Sequence, residues 1–284
     1  MIKMIVSDMD GTLLLADASI SQENLKAIRY AQDRGVIFTI ATGRDYGGLK
    51  GVLDRFDLHC DSILGNGAQF ADASGKIISS CYFPKKLFKD VLKIFDDLNT
   101  YYMIFTTKGF YTTAKPEIVR DAFIDRCITR FKRQREDYEN GDQQDMPCMH
   151  LIEIKNVDEF LKTDLEIIKV EAFNTNTAII EQAKEKLALI DGIAYLSSFD
   201  DNVEVTDVKA QKGLILQQVV KQMEIEADEV MVLGDGLNDI SMFEKFKYSF
   251  APENADPKIK ELAYQVVASC EDNGVAEAIY SMIK

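Results

Sequence analysis

The run Met4-Ile5-Val6-Ser7-Asp8-Met9-Asp10-Gly11-Thr12 constrains this chain more than any other stretch. A short apolar strand ends abruptly in two carboxylates one residue apart. On extended backbone, side chains two apart point the same way, so Asp8 and Asp10 address one space. Gly11 then lets the chain leave at a sharp angle. Far along the chain Glu229-Val230-Met231-Val232-Leu233 ends the same way, in Gly234-Asp235-Gly236-Leu237-Asn238-Asp239. Converging carboxylates at a strand's carboxyl end suit a divalent cation, and with it phosphate chemistry.

The residues after Thr12 read as a parallel α/β core. Ser21 caps a helix through Leu25, Ile28 and Ala31, which Gly35 ends. Residues 36–41 are continuously apolar or β-branched, the pattern of a strand buried on both faces. A strand, a helix and a strand in this order make a parallel pair. Open α/β sheets bind ligands outside the carboxyl ends of their strands, so Thr42-Gly43-Arg44 lies on the same edge as Asp8. The Thr42 hydroxyl and the Gly43 N–H are candidate phosphate donors. A helix over 49–56 and a strand over 62–64 follow, then Gly65-Asn66-Gly67-Ala68. That Gly-x-Gly lacks the third glycine of a dinucleotide fingerprint, and no P-loop occurs. A calcium loop also fails, because its glycine position, counted from Asp8, holds Leu13.

Past Cys81 the texture changes. Pro84 opens a helix with Leu87, Val91, Ile94, Phe95 and Leu98 on one side. Residues 101–105 and 110–113 read as a hairpin through Lys108-Gly109. A helix over 117–135 turns basic at Arg126, Arg130, Lys132, Arg133 and Arg135, which reads as a solvated face rather than a substrate clamp. A polar loop over 136–147, strands over 149–154 and 165–173, a helix over 177–189 and a strand over 193–198 complete an α+β insertion. The core is expected to resume at Val203-Glu204-Val205-Thr206, then Lys212-Gly213 opening a helix, the second acidic run, and strands at 248–251 and 265–267. The fold class is therefore α/β: a doubly wound, Rossmann-like parallel-sheet core from 1–83 and 203–284, with an inserted α+β cap from 84–202.

Composition excludes several functions. A net charge of −14 argues against a nucleic-acid coat or an anionic membrane surface as partner. The five cysteines and two histidines have neither disulfide-framework nor zinc spacing. Free thiols, with no signal peptide and no long apolar span, point to the cytoplasm. Nothing in the residues implies an obligate protein partner.

Taken together, Asp8, the Asp10 backbone carbonyl and Asp235 can share a Mg²⁺ at one sheet edge. Thr42 and Lys212 supply phosphate donors. One carboxylate is left to attack phosphorus and the other to handle protons.

These pieces, in this order and spacing, resemble the haloacid dehalogenase superfamily of phosphohydrolases, in its Cof-like branch with a large cap. The resemblance rests on Asp8-Met9-Asp10-Gly11-Thr12, Thr42-Gly43-Arg44, Asn66-Gly67-Ala68, Lys212-Gly213 and Gly234-Asp235-Gly236-Leu237-Asn238-Asp239. It implies that Asp8 is a nucleophile forming an aspartyl-phosphate and that Asp10 is the general acid and base. It implies Mg²⁺ on Asp8, Asp10 and Asp235. The phosphate would lie against the Met9 N–H, Thr42, Gly43, Lys212 and Asn238, with Asp239 orienting the metal site. The implied activity is hydrolysis of a small phosphorylated metabolite, a sugar phosphate for example, with the cap setting specificity. A phosphomutase or a non-catalytic regulatory binder are the alternatives. The chain departs from the family's pattern at Asp207 and Lys209, where Pro and Gly are usual, which makes Lys209 a competitor for the role of Lys212. It departs again at Pro252-Glu253-Asn254-Ala255, where Met-Gly-Asn-Ala is usual.

Overall fold

The structure, a computed structural model, describes residues 1–131, 134–139 and 146–284. The chain divides into two compact units, Met1–Cys81 with Lys209–Lys284, and Tyr82–Val208. Its strands in chain order are β1 Met4–Asp8, β2 Ile37–Ala41, β3 Asp61–Leu64, β4 Gln69–Ala71 and β5 Ile77–Ser80 in the first unit. The second unit holds β6 Tyr101–Thr106, β7 Gly109–Thr112, β8 Leu151–Glu153, β9 Ile167–Phe173, β10 Ile193–Leu196 and β11 Asn202–Asp207. The first unit resumes with β12 Val230–Leu233, β13 Tyr248–Pro252 and β14 Gln265–Val267.

In the first unit the described strands lie in the order β14-β13-β12-β1-β2-β3-β4-β5. The pairs from β14 through β3 are parallel, while β3-β4 and β4-β5 are antiparallel. The chain winds outward from β1 through β2 and β3, then returns to the other side of β1 at β12. The strand order thus reverses between β1 and β12, which is where open α/β sheets bind ligands. β1 and β12 are buried along their whole lengths, as continuous apolar runs require when helices cover both faces. One apolar cluster gathers Ile5, Ile28, Phe38 and Ile279, and another gathers Met4, Val6, Leu216 and Val232.

The local signals act as read, with some extensions. The Ser21 side chain accepts the Asn24 N–H and opens helix Gln22–Gln32. The next helix starts earlier than the expected residue 49. It runs Tyr46–Phe56, because the Asp45 side chain caps it by accepting the Gly48 N–H. Strands β4 and β5 are too short, and β5 too exposed, to show a pattern in the sequence.

The second unit places its described strands in the order β10-β11-β9-β6-β7-β8. Tyr102, Ile104, Val170, Ala172, Val203 and Val205 pack in one cluster with Val91 and Phe95 of helix Phe88–Asp97 and Ile180 and Ala183 of helix Thr177–Leu187. This sheet corrects one expectation. Residues 203–206, read as the returning core, form β11, which pairs antiparallel with β9 and β10. The physical reason is visible in the residues: Val203 and Val205 enter the apolar cluster, while Glu204 on the opposite face meets Lys169. Alternation of this kind belongs to a sheet with two unlike faces, not to a parallel strand covered by helices on both.

The basic helix is a second correction. Arg126, expected on a solvated face, is 4% exposed. Its Nη2 donates to Asp201 Oδ1 at 2.6 Å, and its guanidinium lies near the rings of Phe123, Phe173 and Phe199. The helix itself runs Pro116–Phe131, and a short helix, Arg135–Glu139, occupies the start of the expected 136–147 loop. Lys132, Arg133 and residues 140–145 of that region lie outside the described residues. The expected strand over 149–154 is a 3-10 turn, Pro147–His150, followed by β8, and helix Val157–Leu161 was not anticipated.

Candidate active site

The carboxyl ends of β1, β2 and β12 carry the acidic and glycine-rich runs. Asp8 is the last residue of β1, and in register it lies opposite Ala41 of β2, which places Thr42 beside the start of the turn. Asp8 is 5% exposed. Lys212 opens helix Lys212–Gln222, and its side chain is fully buried. The Lys212 Nζ donates to Asp8 Oδ1 at 2.5 Å and to Asp239 Oδ1 at 2.6 Å. A lysine at a helix N-terminus opposes the macrodipole, and here two carboxylates offset that. The residue after Lys212 is a glycine, Gly213, for a steric reason. A Cβ there would lie 2.0 Å from the Ser241 carbonyl oxygen, so only glycine lets the first turn approach helix Ile240–Lys245.

Asp239 holds the loop after β12. Its Oδ2 accepts the N–H groups of Asp235 and Gly236, both at 3.0 Å, while Oδ1 takes the Lys212 ammonium. Asp235 accepts the Thr12 hydroxyl at 2.8 Å. One carboxylate oxygen from each of Asp8, Asp235 and Asp239 lies within 4.8 Å of the others. Asp8 and Asp239 therefore share one ammonium, with Asp235 beside them. Burial, opposed by Lys212 and reinforced by Asp239 and Asp235, pushes the Asp8 carboxyl well above its ordinary value. Burial, reinforced by Asp239, pushes Asp235 up to about 6. Lys212 stays charged, because Asp239 and Asp8 outweigh its burial and raise it. Beside that burial the charge balance is uneven: the lysine has more than one counter-ion, and the acids have less than one each. The deficit and the oxygen-only donor set fit a hard divalent cation such as Mg²⁺.

Asp10 stands apart from this buried group. Its side chain is 55% exposed, and Arg44 meets it with both arms, Nε at 3.1 Å and Nη2 at 2.5 Å. Thr42 is buried, and its Oγ1 accepts the Arg44 N–H at 3.2 Å. Gly43 packs against Asn66, whose Oδ1 a Cβ would meet at 3.0 Å. Asn66 Oδ1 also accepts the Asn238 Nδ2 at 3.2 Å, so the loops after β2, β3 and β12 are linked. Met9 is wholly buried, and its carbonyl accepts the Leu13 and Leu14 N–H groups, which curls the chain after the acidic pair. Lys209 is exposed, whereas Lys212 makes the contacts with Asp8 and Asp239. The contacts of Arg44, Thr12 and Asn66 are not announced by the sequence. Their partners lie in other loops, and no spacing rule pairs them.

The model of the haloacid dehalogenase-like hydrolases matches residues 5–279. The chain belongs to that family. This haloacid dehalogenase-like hydrolase is 29% identical over 282 residues to the 5-amino-6-(5-phospho-D-ribitylamino)uracil phosphatase of Bacillus subtilis, covering 99% of this chain and 98% of that one. It is 26% identical over 283 residues to an HMP-PP phosphatase of Yersinia pseudotuberculosis, covering 99% and 95%. Among solved structures it is similar to a haloacid dehalogenase-like hydrolase from Bacillus subtilis, with a TM-score of 0.85, 26% identity, and coverage of 99% and 100%. This hydrolase accordingly has the enzyme class of a phosphoric monoester hydrolase, in the Cof-like branch that its motifs resemble. Among its described residues no helix is long and apolar enough to cross a membrane.

Proposed function

We propose that this hydrolase is a Mg²⁺-dependent phosphatase of small phosphorylated metabolites, sugar phosphates among them, working through an aspartyl-phosphate on Asp8. The observation that carries the reading is the close group of Asp8, Asp235 and Asp239, with Asp8 and Asp239 buried on a single ammonium and a fourth acid, Asp10, two residues from Asp8 and exposed. A binding module gains nothing from a nucleophile and a separate proton carrier side by side.

In this reading an Asp8 carboxylate oxygen attacks phosphorus, the ester P–O bond breaks, and Asp10 delivers a proton to the leaving oxygen. Water then attacks the aspartyl-phosphate, Asp10 takes its proton, and phosphate leaves with the Asp8 carboxylate restored. Lys212 holds Asp8 in place and offsets charge. Thr42, the Gly43 and Met9 N–H groups and Asn238 bind phosphate oxygens. Asp8, the Asp10 carbonyl and Asp235 would hold the Mg²⁺, and Asp239 orients the loop that carries Asp235. Bound there, the cation supplies the charge compensation that a phosphate dianion needs among these acids.

Every candidate catalytic residue belongs to the first unit, so selection among substrates is assigned to the inserted second unit. The named substrates of the relatives, a phosphorylated ribityl-pyrimidine and HMP-PP, support a small phosphorylated metabolite as the class. Phosphate release from a panel of sugar phosphates and phosphorylated pyrimidine intermediates tests this. Activity is expected to vanish after exhaustive chelation and to return with Mg²⁺. Calcium should restore little, because its looser coordination spoils in-line geometry. Full turnover in the chelated protein would overturn the reading.

A further inference from the structure

The turn Glu253-Asn254-Ala255-Asp256 follows β13 and has no place in the chemistry above. Asn254 is exposed, yet both ends of its amide are committed to distant backbone. Its Nδ2 donates to the Gly11 carbonyl at 2.7 Å, and its Oδ1 accepts the Cys270 N–H at 2.9 Å. Two residues on, the Asp256 N–H donates to the Asp235 carbonyl at 2.9 Å. One turn thus grips the loop that follows Asp8 and the loop that carries Asp235. The neighbouring residue Glu271 adds a third tie, its Oε1 accepting the Ala16 N–H at 2.8 Å.

What these ties hold is tight. Gly11 has φ +88°, and a Cβ on it would lie 2.5 Å from Asp235 Oδ2. The Gly11 Cα therefore sits against the Asp235 carboxylate, between the Asp10 carbonyl before it and the Gly11 carbonyl that Asn254 anchors. A carbonyl serves as a cation ligand only when it is aimed at the ion.

We propose that Asn254 is a positioning residue for the cation site: it fixes the Gly11 peptide and so presents the Asp10 carbonyl and Asp235 to a divalent ion as a preformed set. The inference rests on the Mg²⁺ reading above and goes beyond it, because Asn254 touches neither ion nor substrate. Asn254→Asp separates the two hydrogen bonds. It keeps an acceptor for the Cys270 N–H and loses the donor to the Gly11 carbonyl. It also adds a negative charge near the site, which by itself would tighten cation binding. Weaker binding therefore reports the lost link and not the changed charge.

The test is calorimetric titration of Mn²⁺ into the metal-free full chain, for the parent, Asn254→Asp and Asn254→Ala. Thermal unfolding in chelator runs alongside. Loss of one well-made hydrogen bond in the bound state corresponds to roughly tenfold weaker Mn²⁺ binding. That weakening is expected in both variants, with kcat reduced, KM little changed, and the metal-free melting temperature of Asn254→Asp close to the parent's. Parent-like Mn²⁺ affinity in both variants would overturn the inference. So would weakening that merely tracks a fall in metal-free stability. A parent protein that binds no Mn²⁺ would overturn the metal reading itself, and the role of Asn254 with it.

Discussion

The ammonium of Lys212 lies 2.5 Å from Asp8 Oδ1 with no solvent exposure of its own, across 204 positions of sequence. It is the charge that lets Asp8 and Asp239 be buried side by side. Lys212→Met should remove it without removing bulk. Breaking a buried pair by deleting one partner typically costs about 3–5 kcal/mol. The metal-free variant is therefore expected to melt well below the parent, and excess Mg²⁺ should recover part of the difference. Its kcat should fall by about 10²–10³-fold, the scale seen when one preorganised charge donor is removed. Parent-like melting in chelator would show that Lys212 is not the compensating charge.

Asp235 gives a pH dependence with a definite sign. Its ordinary pKa is 3.8, and in the fold burial and Asp239 raise it to about 6. Between those values the folded chain holds a proton that the unfolded chain has released. By linkage, this group's contribution to stability falls as pH rises from 3.8 to about 6 and stays low above that. Asp8 is raised as well and acts in the same direction. In chelator, Asp235→Asn should match the parent at about pH 4 and be the more stable of the two at about pH 7.5. Excess Mg²⁺ should reverse the order at the higher pH. Urea denaturation at both pH values checks it, and a parent more stable than the variant in chelator at neutral pH refutes it.

Asp8→Asn and Asp10→Asn should fail differently. The first removes the proposed nucleophile, so no substrate should leave a phosphoryl group on the protein. The second keeps the group of Asp8, Lys212, Asp235 and Asp239 and, in the proposed roles, loses proton transfer, worth about 10²–10⁴-fold. With an aryl phosphate, whose leaving group needs little help, Asp10→Asn should give a burst of phenol and a slowly hydrolysed phosphoenzyme. Intact-mass measurement after rapid quench should find one added phosphoryl group on Asp10→Asn and none on Asp8→Asn. The reverse pattern would exchange the two roles.

Gly213→Ala tests why a glycine follows Lys212. The new methyl would meet the Ser241 carbonyl at 2.0 Å, against backbone that cannot step aside cheaply. Overpacking of this kind costs about 1–3 kcal/mol. The variant should lose several degrees of melting temperature and also activity, because the same displacement carries Lys212 away from Asp8. Unchanged melting and kcat would show that the helix start has room to move.

The sequence by itself determined the parallel core and which acidic and glycine-rich runs share its carboxyl edge. Continuous apolar runs such as Met4–Val6 and Val230–Leu233 admit little but strands covered on both faces, and the carboxyl end of such a strand is where an open α/β sheet binds its ligand. The αβ alternation then brings Asp8, Thr42 and Asp235 to one edge whatever the side chains between them do. Tertiary structure decided what depends on which distant groups meet. It took residues 202–207 into the second sheet, because Val203 and Val205 found an apolar partner face and Glu204 found Lys169. It buried Arg126 against Asp201 and three phenylalanines, where local periodicity showed only a basic helix. It joined Asp10 to Arg44, and Gly11 to Asn254. Local sequence encodes backbone preference and the direction a side chain leaves it. The partner across space is chosen by packing and charge balance over the folded whole, and no window of neighbouring residues contains that information.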